Sequence, residues 1–176
     1  MHGYSIAISP SDNVIEQVRQ LKQQLRSAIG WYGSVNAQAH ITFNVFQAGA
    51  AELKLWERYT TGFAAQQQPL PLLFDHTGAF ANGAFFLAPD VVSEPLLIRM
   101  MQAFHHQAPM PASISVKPHM SIGRRLSPLQ LIAAQQLIPE VGIRFVCTGL
   151  VLRRFNNTRK QYDIIRHFPF TDAAAL

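Results

Sequence analysis

Two short segments of the chain share one arrangement, a histidine followed two positions later by a hydroxyl residue. They are His40-Ile41-Thr42-Phe43 and His119-Met120-Ser121-Ile122, and their histidines lie 79 positions apart. Because successive side chains of a strand point to opposite faces, each segment predicts a histidine and a hydroxyl on one face and two apolar side chains on the other. Two imidazoles that titrate near neutral pH could act as base and acid in the cleavage of a phosphodiester.

The surroundings of both segments favour strands. Each segment lies in a run with strand character, residues 37–46 and residues 113–122. The separation of the two histidines is nearly half of the 176-residue chain. The spacing therefore predicts two similar halves, each of which contributes one motif strand to a shared site.

Apolar spacing and turn residues predict the remaining elements in the order strand, helix, strand, helix, hairpin, helix, strand, helix, hairpin. The expected bounds are a strand over 4–8, a helix from Ser11 or Asp12 to Gly30, a helix over 51–65, a hairpin over 72–89 that turns at Asn82-Gly83, helices over 91–106 and from Ser127-Pro128 to Leu137, and strands over 143–155 and 161–168. This order predicts an α+β fold in which two pseudo-repeated lobes carry antiparallel sheets that flank a central cleft, with helices on the outer faces. Residues 1–176 would form this single bilobal domain.

The composition indicates a folded protein. Apolar residues make up 48% of the chain, enough to fill a core, and no apolar run is long enough to span a membrane. The N-terminus lacks a basic region followed by a long apolar one, so we expect a cytoplasmic protein with no membrane association. The single cysteine, Cys147, lies in an apolar run and is expected to be a buried, inert thiol.

Positive charge is concentrated in the last third of the chain. The net charge is +5, and residues 117–176 hold nine of the 15 Lys and Arg but only three of the 10 Asp and Glu. Arg124 and Arg125 directly follow the second motif, where they could reach a phosphate. The asymmetry favours a polyanionic ligand, and the alternative is a solvated basic face without a ligand.

At these residues the chain resembles the 2H phosphoesterase superfamily, and within it the 2′-5′ RNA ligase-like (2′,3′-cyclic phosphodiesterase) proteins. That family carries two His-x-Thr/Ser motifs on central strands of a bilobal α+β fold, and its second motif is often followed by a small residue and an arginine, as in Gly123-Arg124 here. The second hydroxyl is Ser121 instead of the commoner threonine, which still donates a hydrogen bond. No arginine follows the first motif, where Asn44-Val45-Phe46 stands instead.

The resemblance implies metal-independent cleavage at a 2′,3′-cyclic phosphate or a 2′-5′ linkage, without a cofactor. It implies His40 as acid and His119 as base, with Thr42 and Ser121 donating to the phosphate oxygens. Arg124, and secondarily Lys117, would neutralise phosphate charge. The expected partners are RNA ends or a small nucleotide substrate, and the protein is expected to be a monomer without an obligate protein partner.

Three alternative interpretations remain open from the sequence. The fold could serve as a non-catalytic RNA- or nucleotide-binding module, although intact pairs at both motifs argue against it. The enzyme could act on a small nucleotide such as an ADP-ribose cyclic phosphate. A zinc site built from His40, His119 and a third histidine is conceivable, but no Cys-x-x-Cys, His-Glu-x-x-His or carboxylate cluster supports it.

Four aromatic residues in predicted strands could stack on a base or belong to the core. They are Tyr4, Phe46, Phe85 and Tyr162. Aromatic side chains in strands lie in the core more often than in a binding site.

Overall fold

The computed structural model describes residues 1–172, which contain four helices and nine strands. In chain order these are β1 His2–Ile8, α1 Asp12–Ile29, β2 Ile41–Ala48, α2 Ala50–Ala64, β3 Leu70–Ala79, β4 Phe85–Pro89, α3 Ser93–His106, β5 Ser113–Ile114, β6 Met120–Gly123, α4 Pro128–Leu137, β7 Glu140–Cys147, β8 Gly149–Asn156 and β9 Gln161–Pro169. Each predicted helix is present within two residues of its expected start. None of the helices in this part of the chain is long and apolar enough to cross a membrane.

The strands form an antiparallel sheet in the order β7-β3-β4-β6-β2-β1-β8-β9, with β5 paired to β2. Two groups of four strands meet where β6 pairs with β2, through Ile41 and Met120. The two motif strands are thus neighbours at the centre of the sheet. The predicted α+β fold of two related halves is confirmed.

An aromatic cluster packs α2 and α3 against one face of β2. The ring of Trp56 on α2 stacks on Phe46 with centroids 4.5 Å apart, and Phe104 on α3 contacts both Phe43 and Phe63 edge to face. Burial of such large apolar rings is a major stabilising term of a core. Ile41 and Phe43 of the first motif face this core. His40 and Thr42, which alternate with them, therefore face the opposite side of the sheet.

Both motif strands carry a bulge directly after the motif hydroxyl. In β2, Thr42 pairs with Ala7 and Asn44 with Ile6, so Phe43 has no opposite residue. In β6, Ile122 is skipped in the same way between Ser121 and Gly123. A bulge adds one residue to one strand and turns the following side chains, and bulges are common beside active sites. The two halves therefore repeat not only the motif but also its local backbone irregularity.

The predicted motif strands were too long. The expected strand over 113–122 is two short strands, β5 and β6, with Pro118 between them. Proline cannot donate to a sheet ladder, so pairing stops before it. The first motif strand begins at Ile41 and not at residue 37. Both histidines consequently stand one residue before their strands, at the end of a loop.

The expected continuous strand over 143–155 was also wrong. The segment is two strands, β7 and β8, and they lie in different halves: β7 pairs with β3, whereas β8 pairs with β1 and β9. The break falls at Thr148-Gly149, where a Cβ on Gly149 would lie 2.6 Å from the carbonyl oxygen of Phe168. Apolar alternation continues through the break, so the sequence pattern alone does not reveal it.

Candidate active site

A cavity of about 890 Å³ lies over the centre of the sheet. The predicted catalytic side chains His40, Thr42, His119 and Ser121 all line it. The antiparallel register explains this, because Ile41 pairs with Met120. One residue to either side of that pair, His40 comes opposite Ser121 and Thr42 comes opposite His119. The structure thus brings together all four motif side chains.

The two histidines make the same hydrogen bond. His40 Nδ1 lies 2.7 Å from the carbonyl oxygen of Gln38, and His119 Nδ1 lies 2.8 Å from the carbonyl oxygen of Lys117. A carbonyl oxygen only accepts, so Nδ1 carries the proton in both rings and donates it. In the neutral state this leaves Nε2 of each ring as the nitrogen that can accept a proton from a ligand.

Burial and positive neighbours lower the pKa of both imidazoles, which favours their neutral form. Desolvation, followed by the charge of Arg153, holds the pKa of His40 well below its usual range. Burial also lowers the pKa of His119, with smaller contributions from Arg124 and Lys117. A bound anion would raise both pKa values again, because it favours the charged form of a nearby imidazole.

Arg124 lines the cavity, and the turn of the β3–β4 hairpin supports the loop that contains it. Leu126 N–H donates to Gly83 O at 2.9 Å. Gly83 has a φ of 81°, and a Cβ there would lie 2.5 Å from Leu126 O, so both the backbone conformation and the close approach require glycine. The predicted Asn82-Gly83 turn is therefore also a support for the loop after the second motif.

The structure does not bring Lys117 to the cavity wall. Its ammonium group lies 5.6 Å from the ring centroid of Phe80 and 5.8 Å from that of Phe86. The same two rings contact the imidazole of His119, at 5.2 Å and 5.1 Å between centroids. Lys117 thus packs, exposed to solvent, on the two rings that contact His119.

Two buried cations on the cavity wall were missed from the sequence. Lys22 is 1% exposed and donates from Nζ to Ala37 O at 2.6 Å and to Ser34 O at 3.2 Å, while burial lowers its pKa to about 7. Arg153 is 6% exposed. A signal existed for Lys22, which occupies the apolar stripe of α1 at helical spacing from Val18.

The aromatic candidates separate into core and site. Tyr4, Phe46 and Phe85 are buried in the core, whereas Tyr162 lines the cavity. Trp31, which the sequence reasoning did not select, also lines the cavity with 69% of its surface exposed. An exposed indole at a cavity rim offers a flat apolar face to a ligand.

The metal and thiol candidates have no support from geometry. Within residues 1–172 no three His, Cys, Asp or Glu side chains come close enough together to hold a metal ion. Cys147 is buried, and desolvation raises the pKa of its thiol to about 12, so it carries no thiolate near neutral pH.

Comparison with known proteins agrees with these features. A family model described as the 2′-5′ RNA ligase superfamily matches residues 9–159. The fold is similar to that of E. coli LigT in complex with 3′-AMP (17% identity, 97% of this chain and 98% of that one, TM-score 0.72) and of TT0787 of Thermus thermophilus (16%, 96% and 97%, TM-score 0.64). The search of curated proteins found no match. The chain belongs to the 2′-5′ RNA ligase superfamily, as its paired motifs predicted.

Proposed function

We propose that this protein is a phosphoesterase that cleaves 2′,3′-cyclic phosphate or 2′-5′ linked RNA or nucleotide substrates without a metal ion. The observation that carries the proposal is the shared cavity wall of both motifs. There, two imidazoles with identical Nδ1 contacts keep Nε2 available for proton transfer. Membership of the superfamily supports the broader class, a phosphoesterase with two histidine motifs.

In hydrolysis of a cyclic phosphate, one neutral imidazole takes a proton from water as the water oxygen bonds to phosphorus. The bond between phosphorus and one ribose oxygen breaks, and the second, protonated imidazole donates its proton to that oxygen. Thr42 and Ser121 donate hydrogen bonds to the non-bridging oxygens, where charge accumulates in the transition state. The product is a ribose phosphomonoester with one free hydroxyl.

The two histidines divide the roles of acid and base in hydrolysis, with His40 as acid and His119 as base in the assignment that the resemblance implied. Burial lowers the pKa of both imidazoles, so protonation of the acid depends on the charge of the bound phosphate. We assign binding of the substrate phosphate to Arg124, since Arg124 lines the cavity and Lys117 does not.

A small cyclic nucleotide with further phosphates is the second candidate substrate. Among the described residues the cavity wall includes five Lys or Arg side chains and no Asp or Glu. A volume of about 890 Å³ exceeds what a single phosphate needs. Such a wall would suit an ADP-ribose cyclic phosphate as well as an RNA end.

Turnover assays with chelator present test the proposal. Purified protein is incubated with nucleoside 2′,3′-cyclic phosphates, an RNA with a 2′,3′-cyclic end, a 2′-5′ linked dinucleotide and an ADP-ribose cyclic phosphate. We expect turnover in EDTA that disappears when both His40 and His119 are replaced by asparagine. Tight binding without turnover would instead support a non-catalytic binding module, and loss in EDTA that zinc restores would support a metal-dependent enzyme.

A further inference from the structure

Arg153 lies on the cavity face of the sheet, within the half that contains the first motif. It belongs to β8, and its register partners place it in a row with Ile164 on β9 and, through Ser5 on β1, with Val45 on β2. Arg153, Ile164 and Val45 all line the cavity. The guanidinium therefore approaches the motif site from two strands away, on the same face as Thr42.

The guanidinium has no opposite charge among the residues that the structure describes. Arg153 is 6% exposed, and within residues 1–172 it forms no ion pair with a carboxylate and no Asp or Glu lines the cavity. Nη2 donates to Ser5 Oγ at 2.9 Å, and the centroid of the Tyr162 ring lies 5.4 Å from the guanidinium carbon. Nε has no hydrogen-bond partner in the part of the chain that the structure describes.

A buried charge without a partner destabilises the folded state, so proteins keep such groups mainly where a ligand completes the pairing. Desolvation is strong enough here to lower the pKa of Arg153 to about 10. An arginine fork with unused donors matches the oxygens of a phosphate. The group that completes the pairing would be an anion in the cavity.

We propose that Arg153 is the phosphate-binding cation of the first half, and that it contacts the reacting phosphate together with Arg124 from the second half. No arginine directly follows the first motif. Arg153 on β8, 113 positions after His40, supplies the positive charge that this motif lacks. The substrate in this assignment rests on the proposed function. The binding site itself can be tested with inorganic phosphate, without any turnover.

The test compares Arg153→Met with Arg154→Met. Arg154 is the next residue of β8, lies on the opposite face, is exposed and contacts the ring of His2. Phosphate affinity is measured by calorimetry, and the melting temperature is measured with and without phosphate. We expect Arg153→Met to weaken phosphate binding by about 10- to 100-fold, the usual effect of a hydrogen-bonded charge.

Without phosphate, Arg153→Met should melt no lower than the unaltered protein, because it removes an uncompensated buried charge. Arg154→Met should keep the phosphate affinity. If methionine prevents folding, Arg153→Gln decides the question, since it keeps a polar side chain at this position without the charge.

Two results would overturn the assignment: phosphate affinity within about twofold of normal in the folded Arg153 variant, or no saturable phosphate binding by the unaltered protein. Turnover separates this inference from the proposed function. An unaltered protein that binds phosphate through Arg153 but cleaves none of the substrates would refute the function and keep the site. Turnover by the unaltered protein together with normal phosphate affinity in the Arg153 variant would refute the site and keep the function.

Discussion

The two motif histidines receive their orientation from the main chain and not from neighbouring side chains. Each Nδ1 donates to the carbonyl two residues earlier, although the preceding sequences, Gln38-Ala39 and Lys117-Pro118, have nothing in common. A contact that needs only backbone geometry tolerates changes of side chain at those positions. Such a contact fixes the tautomer, and with it the nitrogen that can exchange a proton.

Replacement of either histidine should affect the reaction far more than the fold. We expect His40→Ala and His119→Ala each to lower the rate of cyclic phosphate hydrolysis by about 10²- to 10⁴-fold, the usual contribution of a positioned acid or base. Both rings are only partly buried and line the cavity, so the melting temperature should change little. Steady-state kinetics and thermal unfolding of each variant check this, and a near-normal rate in either one would remove that histidine from the mechanism.

Lys22 should make stability depend on pH in a predictable direction. Its pKa is about 7 in the folded protein against an ordinary value of 10.5, so between these pH values the unfolded chain holds a proton that the folded chain has lost. The free energy of unfolding should therefore rise with pH in this window, by at most about 1.4 kcal/mol per pH unit, and the destabilisation should be complete below pH 7.

The Lys22→Met protein should lack this rise of the free energy of unfolding with pH. Its stability relative to the unaltered protein should be highest below about pH 7 and should decline as the pH rises toward about 10. Urea unfolding across that range measures the slope, with Arg26→Met, an exposed change on the same helix, as the control. Equal slopes in Lys22→Met and the unaltered protein would mean that the buried ammonium keeps its proton throughout.

Individual site residues were easiest to predict from the sequence where the motif itself contains them or, as for Arg124, where they directly follow it. The paired histidines and hydroxyls lie within four-residue segments, and local alternation is enough to place them on one face. Arg153 lies 113 positions from His40 and reaches the site through the strand order β2-β1-β8. No local pattern contains that information, because it arises from tertiary pairing.

At the level of elements, helices were easier to predict than strands. The helices have strong signals at their ends, such as the Ser127–Gln130 capping box and Gly30 after α1. Strand ends depend on which neighbour is present, so the break between β7 and β8 was missed. Pro118, by contrast, was visible in the sequence, and its missing N–H explains why β6 starts after it.

Gly83 offers a test of how one element supports another. Gly83→Ala would place a Cβ 2.5 Å from Leu126 O at a positive φ, so we expect a loss of about 1–3 kcal/mol in the free energy of unfolding. The loop that carries Arg124 should shift with Leu126, which should raise KM for phosphate-bearing substrates. Gly142→Ala is the matched control, because a Cβ there meets nothing within 4 Å.

Unfolding and kinetic measurements on both glycine variants check this prediction. A Gly83→Ala protein with normal stability and normal KM would mean that the turn does not hold the second motif loop. A similar loss in Gly142→Ala would mean that the effect comes from glycine replacement in general and not from the contact with Leu126.

For the molecule as a whole, the feature that bears most on function is the concentration of positive charge around the cavity. The basic excess of residues 117–176 predicted an anionic ligand, and Arg124, Arg125 and Arg153 from that segment do line the cavity. Lys22 adds a cation from the first half of the chain. The two halves of the sheet thus converge on one electropositive cavity at their junction, where field lines focus and raise the local concentration of anions.

Salt should therefore weaken substrate binding more than it slows the bound complex. Between about 50 and 500 mM salt the screening length falls from roughly 14 Å to 4 Å, so KM for a cyclic nucleotide should rise several-fold while kcat changes little. Lys160 lines the cavity from the β8–β9 turn, whereas Lys54 lies exposed on α2 and does not line it. Lys160→Gln should reduce the dependence of KM on salt, and Lys54→Gln should leave it unchanged. Equal salt dependence in both variants would mean that the overall charge of the protein, and not the cavity wall, attracts the substrate.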